Sequence, residues 1–102
     1  MLALLVALAP LAGEARELWE ARCQACHGSD GSGDTKEGKK TRAADLRDPK
    51  LQKAMSDSEM ENVIREGTPM EAGEKRMPAF KNKLTDEQIK LLVQFVRSLT
   101  RP

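Results

Sequence analysis

Cys23-Gln24-Ala25-Cys26-His27 places two thiols three residues apart, with an imidazole directly after the second. That spacing is the attachment signature of a c-type haem. Two thiols can add to the two vinyl groups along one edge of a porphyrin, and two intervening residues span the gap. The next residue, His27, then lies under the ring with a nitrogen available to iron. A thioredoxin-like dithiol uses the same Cys-x-x-Cys spacing but wants a strand leading into a helix, and no strand pattern precedes Cys23. A zinc site wants four ligands, commonly with a second pair. This chain has two Cys and one His in all. The pentapeptide therefore reads as one covalently held haem c on Cys23, Cys26 and His27.

The elements around this motif are helical. Glu14 to Ala25 contains no Pro and brings Leu18 and Trp19 ahead of the cysteines. Asp48-Pro49 is an N-cap followed by Pro at the first helical position, which predicts a short helix to about Met55. Ser56-Asp57-Ser58-Glu59 is a capping box. Met60, Val63 and Ile64 follow at helical spacing, and Gly67 then Pro69 end that helix. Thr85-Asp86-Glu87-Gln88 is a second capping box, and Ile89, Leu92, Val93, Val96 and Leu99 keep one apolar face over three turns. Gly28 to Gly38 reads as a loop by composition, Lys39 to Leu46 as irregular, and Thr68 to Lys83 as a second long loop. The fold class is all-α: three main helices, one short helix and long loops. Loops of this length are uncommon in a small domain unless they serve a function, and wrapping a large flat cofactor is one.

Of 102 residues, Met1 to Leu11 form an uncharged apolar run. It is too short to span a bilayer, which takes about 20 apolar residues, and has the length of the apolar part of a secretory signal. Residues 1–15 are expected to be that signal, with alternative cuts after Ala12 or Gly13, and 16–102 the domain. The expected location is the periplasm or another exported compartment. A mature chain of roughly 87 residues is marginal for a core of side chains alone. The aromatics are Trp19, Phe80 and Phe95, with no Tyr, so a cofactor is expected to fill part of the interior. Seventeen basic against 16 acidic residues give no bulk signal for nucleic acid.

These segments together resemble a class I mono-haem bacterial cytochrome c. LWEARCQACHGSDGSG resembles the first helix, haem site and Gly-rich loop of that family, MPAF its distal-ligand loop, and LTDEQIKLLVQFVRSL its last helix. The resemblance implies that Trp19 and Phe95 meet where the first and last helices cross. It also selects the sixth iron ligand. Met55 and Met60 read as core fillers, and Met70 and Met77 both lie in the second loop. The family's Met-Pro-Ala-Phe points to Met77, with Pro78 fixing the backbone beside it. Met/His ligation is an electron-transfer arrangement that raises the reduction potential. Many family members carry a Pro whose carbonyl accepts from the haem His. No Pro lies between Gly28 and Asp48, and Ala44 stands where it often stands.

The function so implied is a monomeric carrier of single electrons between redox partner proteins, with no membrane span once the signal is removed and no catalytic residues. Lys75 to Lys83 holds four basic residues and no acid, and Lys36, Lys39, Lys40 and Arg42 form a second basic group. Such patches suit acidic docking surfaces. The alternatives are a haem subunit of a larger oxidoreductase, a haem sensor or peroxidase with an open sixth position, and a thiol oxidoreductase using free Cys23 and Cys26.

Overall fold

A computed structural model describes residues 11–68 and 77–100, which form helices α1 (Leu11–Arg22), α2 (Gln24–His27), α3 (Lys36–Thr41), α4 (Pro49–Ala54), α5 (Asp57–Glu66) and α6 (Asp86–Ser98). No strand occurs among the described residues. Met70, Lys75 and Arg76 lie outside them.

The helix starts follow local side-chain chemistry. The Ser56 hydroxyl accepts from Glu59 N while Glu59 accepts from Ser56 N, at 3.1 and 2.9 Å. Thr85 and Gln88 repeat the arrangement at the start of α6. Each box satisfies two backbone donors that a helix start leaves free. Asp48 caps α4 through Lys50 N, with Pro49 in the first turn.

One element departs from expectation. Residues 36–41, read as loop, form α3. Its cap is Thr35, whose hydroxyl accepts from Gly38 N at 2.8 Å and lies 2.9 and 2.8 Å from the carbonyls of Ala25 and Cys26. Gly38 has to be glycine, because a Cβ there would collide with both Cys26 O and Gly33 O. Helix α3 thus exists because it docks on α2, a tertiary reason that outweighs a composition rich in Gly and Lys.

Helices α1 and α6 pack together, and α5 packs on α6. At the first crossing the Trp19 and Phe95 rings lie 5.0 Å apart, tilted by 37°. Trp19, Ile89, Leu92 and Val93 are almost wholly buried, and Met60, Ile64, Phe80, Leu84 and Val96 complete the same core. The guanidinium of Arg16 stacks over the Phe95 ring, 5.1 Å from its centroid.

Candidate haem site

Helix α1 stops at Arg22, and the chain bends at Cys23 before one further turn, α2. Cys23 O accepts from His27 N at 2.9 Å, which folds the imidazole back beside the first cysteine. The Trp19 indole donates to Gly28 O at 2.9 Å and fixes the exit of this turn. The Trp19 and His27 rings stand 5.7 Å apart. Thr35 ties down the far side through the Ala25 and Cys26 carbonyls. The attachment pentapeptide is therefore clamped from α1 and from α3.

Both thiols are free. Cys23 is buried, and Cys26 is half-buried. Burial, with Cys26 nearby as a lesser cause, pushes the Cys23 thiol up to about 11. A disulfide oxidoreductase needs a depressed thiol pKa for its nucleophile, so this pair is set against that chemistry. Burial holds the His27 imidazole below its usual range. It is therefore neutral at pH 7, the form that ligates metals.

Cys23 and His27 line a partly open cavity of about 100 Å³. The rest of its wall is apolar. Leu46 and Leu51 line it, with Val63 and Ile64 of α5 and Leu92, Val93 and Val96 of α6. Met55, Met60 and Met77 also face it. Met55 and Met60, expected as core fillers, thus share the cavity with Met77, and Met60 is buried in the core as well.

Met77 is positioned by the end of α5. Gly67 caps that helix at φ 75°, and a Cβ there would lie 2.5 Å from Met77 O. Thr68 N donates to Met77 O at 3.1 Å, and Met77 N donates to the Thr68 hydroxyl at 3.0 Å. Phe80 N and Lys81 N then donate to Ile64 O and Arg65 O. Sequence reading found Gly67 as a helix stop and missed Thr68.

The residues present fit a haem. The Cys23 thiol, a neutral imidazole and the Met77 thioether line one apolar cavity, and Cys26 sits in the same helical turn as His27. His27 Nδ1 is buried and has no hydrogen-bond partner among the described residues. Ala44 O, at the place where the family's proline carbonyl often stands, does not accept from it and lies 3.2 Å from where a Cβ on Gly33 would stand. Among the described residues no cluster of His, Cys, Asp and Glu could hold a metal ion by itself.

The profile of the family described as "Cytochrome C oxidase, cbb3-type, subunit III" matches residues 10–96. The chain belongs to this cytochrome c family. Among solved structures it is similar to the KustC0563 c-type cytochrome, at 36% identity and a TM-score of 0.76, over 85% of this chain and 98% of that one. A point mutant of Kustc0563 matches at 36% identity and a TM-score of 0.74, over 85% and 99%. No curated protein matches the sequence. A c-type cytochrome carries covalently bound haem c and serves in electron transfer, and the all-helical fold expected of one is the fold observed.

Proposed function

We propose that this cytochrome carries single electrons on one haem c, bonded through Cys23 and Cys26, with His27 and Met77 as the residues that would hold iron. Attachment is redox-neutral: each S–H adds across a vinyl C=C, sulfur to one carbon and hydrogen to the other. Haem c supplies a one-electron iron couple. The chain's own residues supply the rest. Cys23 and Cys26 would hold the haem covalently, Thr35 braces their turn through the Ala25 and Cys26 carbonyls, and His27 and Met77 would offer a nitrogen and a sulfur to iron. The leucines and valines of α4, α5 and α6 keep water away, which favours the less charged ferrous state. The observation that carries the reading is the convergence of Cys23, His27 and Met77 on one apolar cavity.

The carrier is read as monomeric and exported to the periplasm or an equivalent compartment. Among the described residues no helix is long and apolar enough to cross a membrane. Ala15 is buried within α1, which favours signal cleavage after Ala12 or Gly13 over Ala15. Partners with acidic docking surfaces would meet Lys36, Lys39 and Lys40 on α3, beside the attachment turn. Lys81 and Lys83 belong to the other basic group. Both groups are partly paired: Lys39 with Asp34 at 3.4 Å and Lys40 with Glu37 at 3.6 Å on the α3 side, and Lys81 with Glu66 at 3.2 Å on the other, where Lys83 lies over the Phe80 ring. The family description favours a second reading, a haem subunit of a larger oxidoreductase. The near-complete coverage of a small solved cytochrome supports the free carrier.

Acid-acetone extraction and intact mass test the proposal together. Haem should stay with the protein, raise its mass by one haem and leave no titratable thiol. Colour passing to the organic layer would overturn it. Purification at the mass of the single chain supports the carrier, and co-purification with larger chains supports the subunit.

A further inference from the structure

Helix α4 has six residues, too few to be stable alone, since isolated helices shorter than about 12 residues are marginal in water. No other helix packs broadly against it. Yet Leu51 and Met55, on and beside it, form one wall of the cavity. Leu51 and Met55 pack against the core, and the backbone of this short helix has a second attachment.

That second attachment is a polar junction. Gln52 is the one buried polar side chain among the described residues. Its amide donates to Leu46 O at 2.7 Å and to Val96 O at 3.0 Å. Arg97, on α6, donates through Nη1 to the Gln52 backbone carbonyl, and to Gln52 Oε1 at 3.1 Å. Its Nη2 donates to Met55 O at 2.5 Å, and its Nε to Asp57 Oδ1 at 2.8 Å. The carbonyls so gathered belong to Leu46, Gln52, Met55 and Val96, three of which also line the cavity. A planar guanidinium with a fixed fork of donors can join these groups, and a Lys ammonium on its flexible stem cannot.

We propose that Gln52 and Arg97 are positioning residues for the redox centre: they staple the α4 wall to α6 and so set how much water reaches the cavity. The proposal rests on the haem reading above. Without the staple α4 lifts, water enters beside Leu51 and Met55, and the more polar surroundings favour ferric iron. The reduction potential then falls, although neither residue touches the cavity.

The test uses covalently loaded holoprotein and the variants Gln52→Met and Arg97→Lys, with Lys90→Gln as a remote control. Two quantities are read: the midpoint potential by spectroelectrochemistry, and amide hydrogen exchange of residues 49–55 against 86–98. Both variants should lower the potential and speed exchange in α4 by roughly tenfold, with α6 little changed and the control like wild type. A wild-type potential in Arg97→Lys, whether exchange rises in α4 alone or evenly across both helices, overturns the proposal. Should Gln52→Met fail to accumulate, Arg97→Lys decides on the same two readings. Failure of the wild type to hold covalent haem would instead overturn the functional reading, and it is seen before any variant is compared.

Discussion

Thr68 and Met77 grip each other through a reciprocal pair of hydrogen bonds, backbone N to backbone O in one direction and backbone N to side-chain hydroxyl in the other. The second residue past α5 is thereby fixed to the residue that opens the Met-Pro-Ala-Phe segment. A methionine so anchored would lose little further backbone freedom if its sulfur were to ligate iron, as proposed.

Met77→Ala should abolish the weak far-red sulfur-to-iron absorption, lower the potential and admit cyanide or carbon monoxide. Met55→Ala and Met60→Ala should keep the band, and each should cost about 2–5 kcal/mol of stability at most. Retention of the band in Met77→Ala with its loss in Met60→Ala would move the ligand to α5. Thr68→Val should weaken the band and Thr68→Ser should restore it, because Ser keeps the hydroxyl. Visible spectra of the ferric proteins decide each case.

Trp19→Ala removes a buried indole that contacts both His27 and Phe95, together with the donor to Gly28 O. A loss of about 3–5 kcal/mol is expected from the cavity alone. Trp19→Phe should recover part of it by packing and none of the hydrogen bond. Denaturant unfolding of the holoprotein measures both.

The two capping boxes differ in one chemical respect. Glu59 accepts from Ser56 and is held below the ordinary carboxyl value of 4.5 by those hydrogen bonds, whereas Gln88 in the second box does not titrate. With the folded pKa depressed, Glu59 stabilises fully above its unfolded value, and that contribution is lost as pH falls through the folded one. Below about pH 4.5, the first turn of α5 should therefore fray before that of α6. Residue-resolved amide exchange between about pH 6 and about pH 3 tests it, and Glu59→Gln should remove the difference.

Charge reversal on α3 separates docking from solubility. Lys36→Glu with Lys40→Glu should slow reduction or oxidation by an acidic partner and flatten the salt dependence of the rate. The midpoint potential should shift little, since exposed charges are screened over about 10 Å at 0.1 M salt. Stopped-flow kinetics over a salt series gives the answer.

Much of this architecture was legible because it is local. Ser56 and Glu59, or Thr85 and Gln88, declare a helix start within four residues, and both boxes form as read. The α6 face repeats at helical spacing, and its buried residues are those the period selects. Helix α3 was not legible. Its stability comes from Thr35 and Gly38 meeting carbonyls of α2, and nothing within 36–41 says so. The same holds for Thr68 and for the junction of Gln52 with Arg97: each depends on a partner distant in sequence, and a polar residue on a short helix looks like any solvated one. Met55 and Met60 were read as core from spacing, and whether a core face also bounds a cavity is decided only by what stands opposite.

The contact between Trp19 and Phe95 joins the first helix to the last. A chain emerging N-terminus first, from a ribosome or a pore, presents Cys23 and Cys26 long before Phe95 is available to close over Trp19. For that interval the attachment turn has no lid and no second wall. The thiols are therefore most accessible while the polypeptide is incomplete, and once α6 packs on α1 Cys23 is reached only through the cavity it lines. Haem attachment ahead of that closure would leave the Trp19–Phe95 contact to form last, with nothing to reopen.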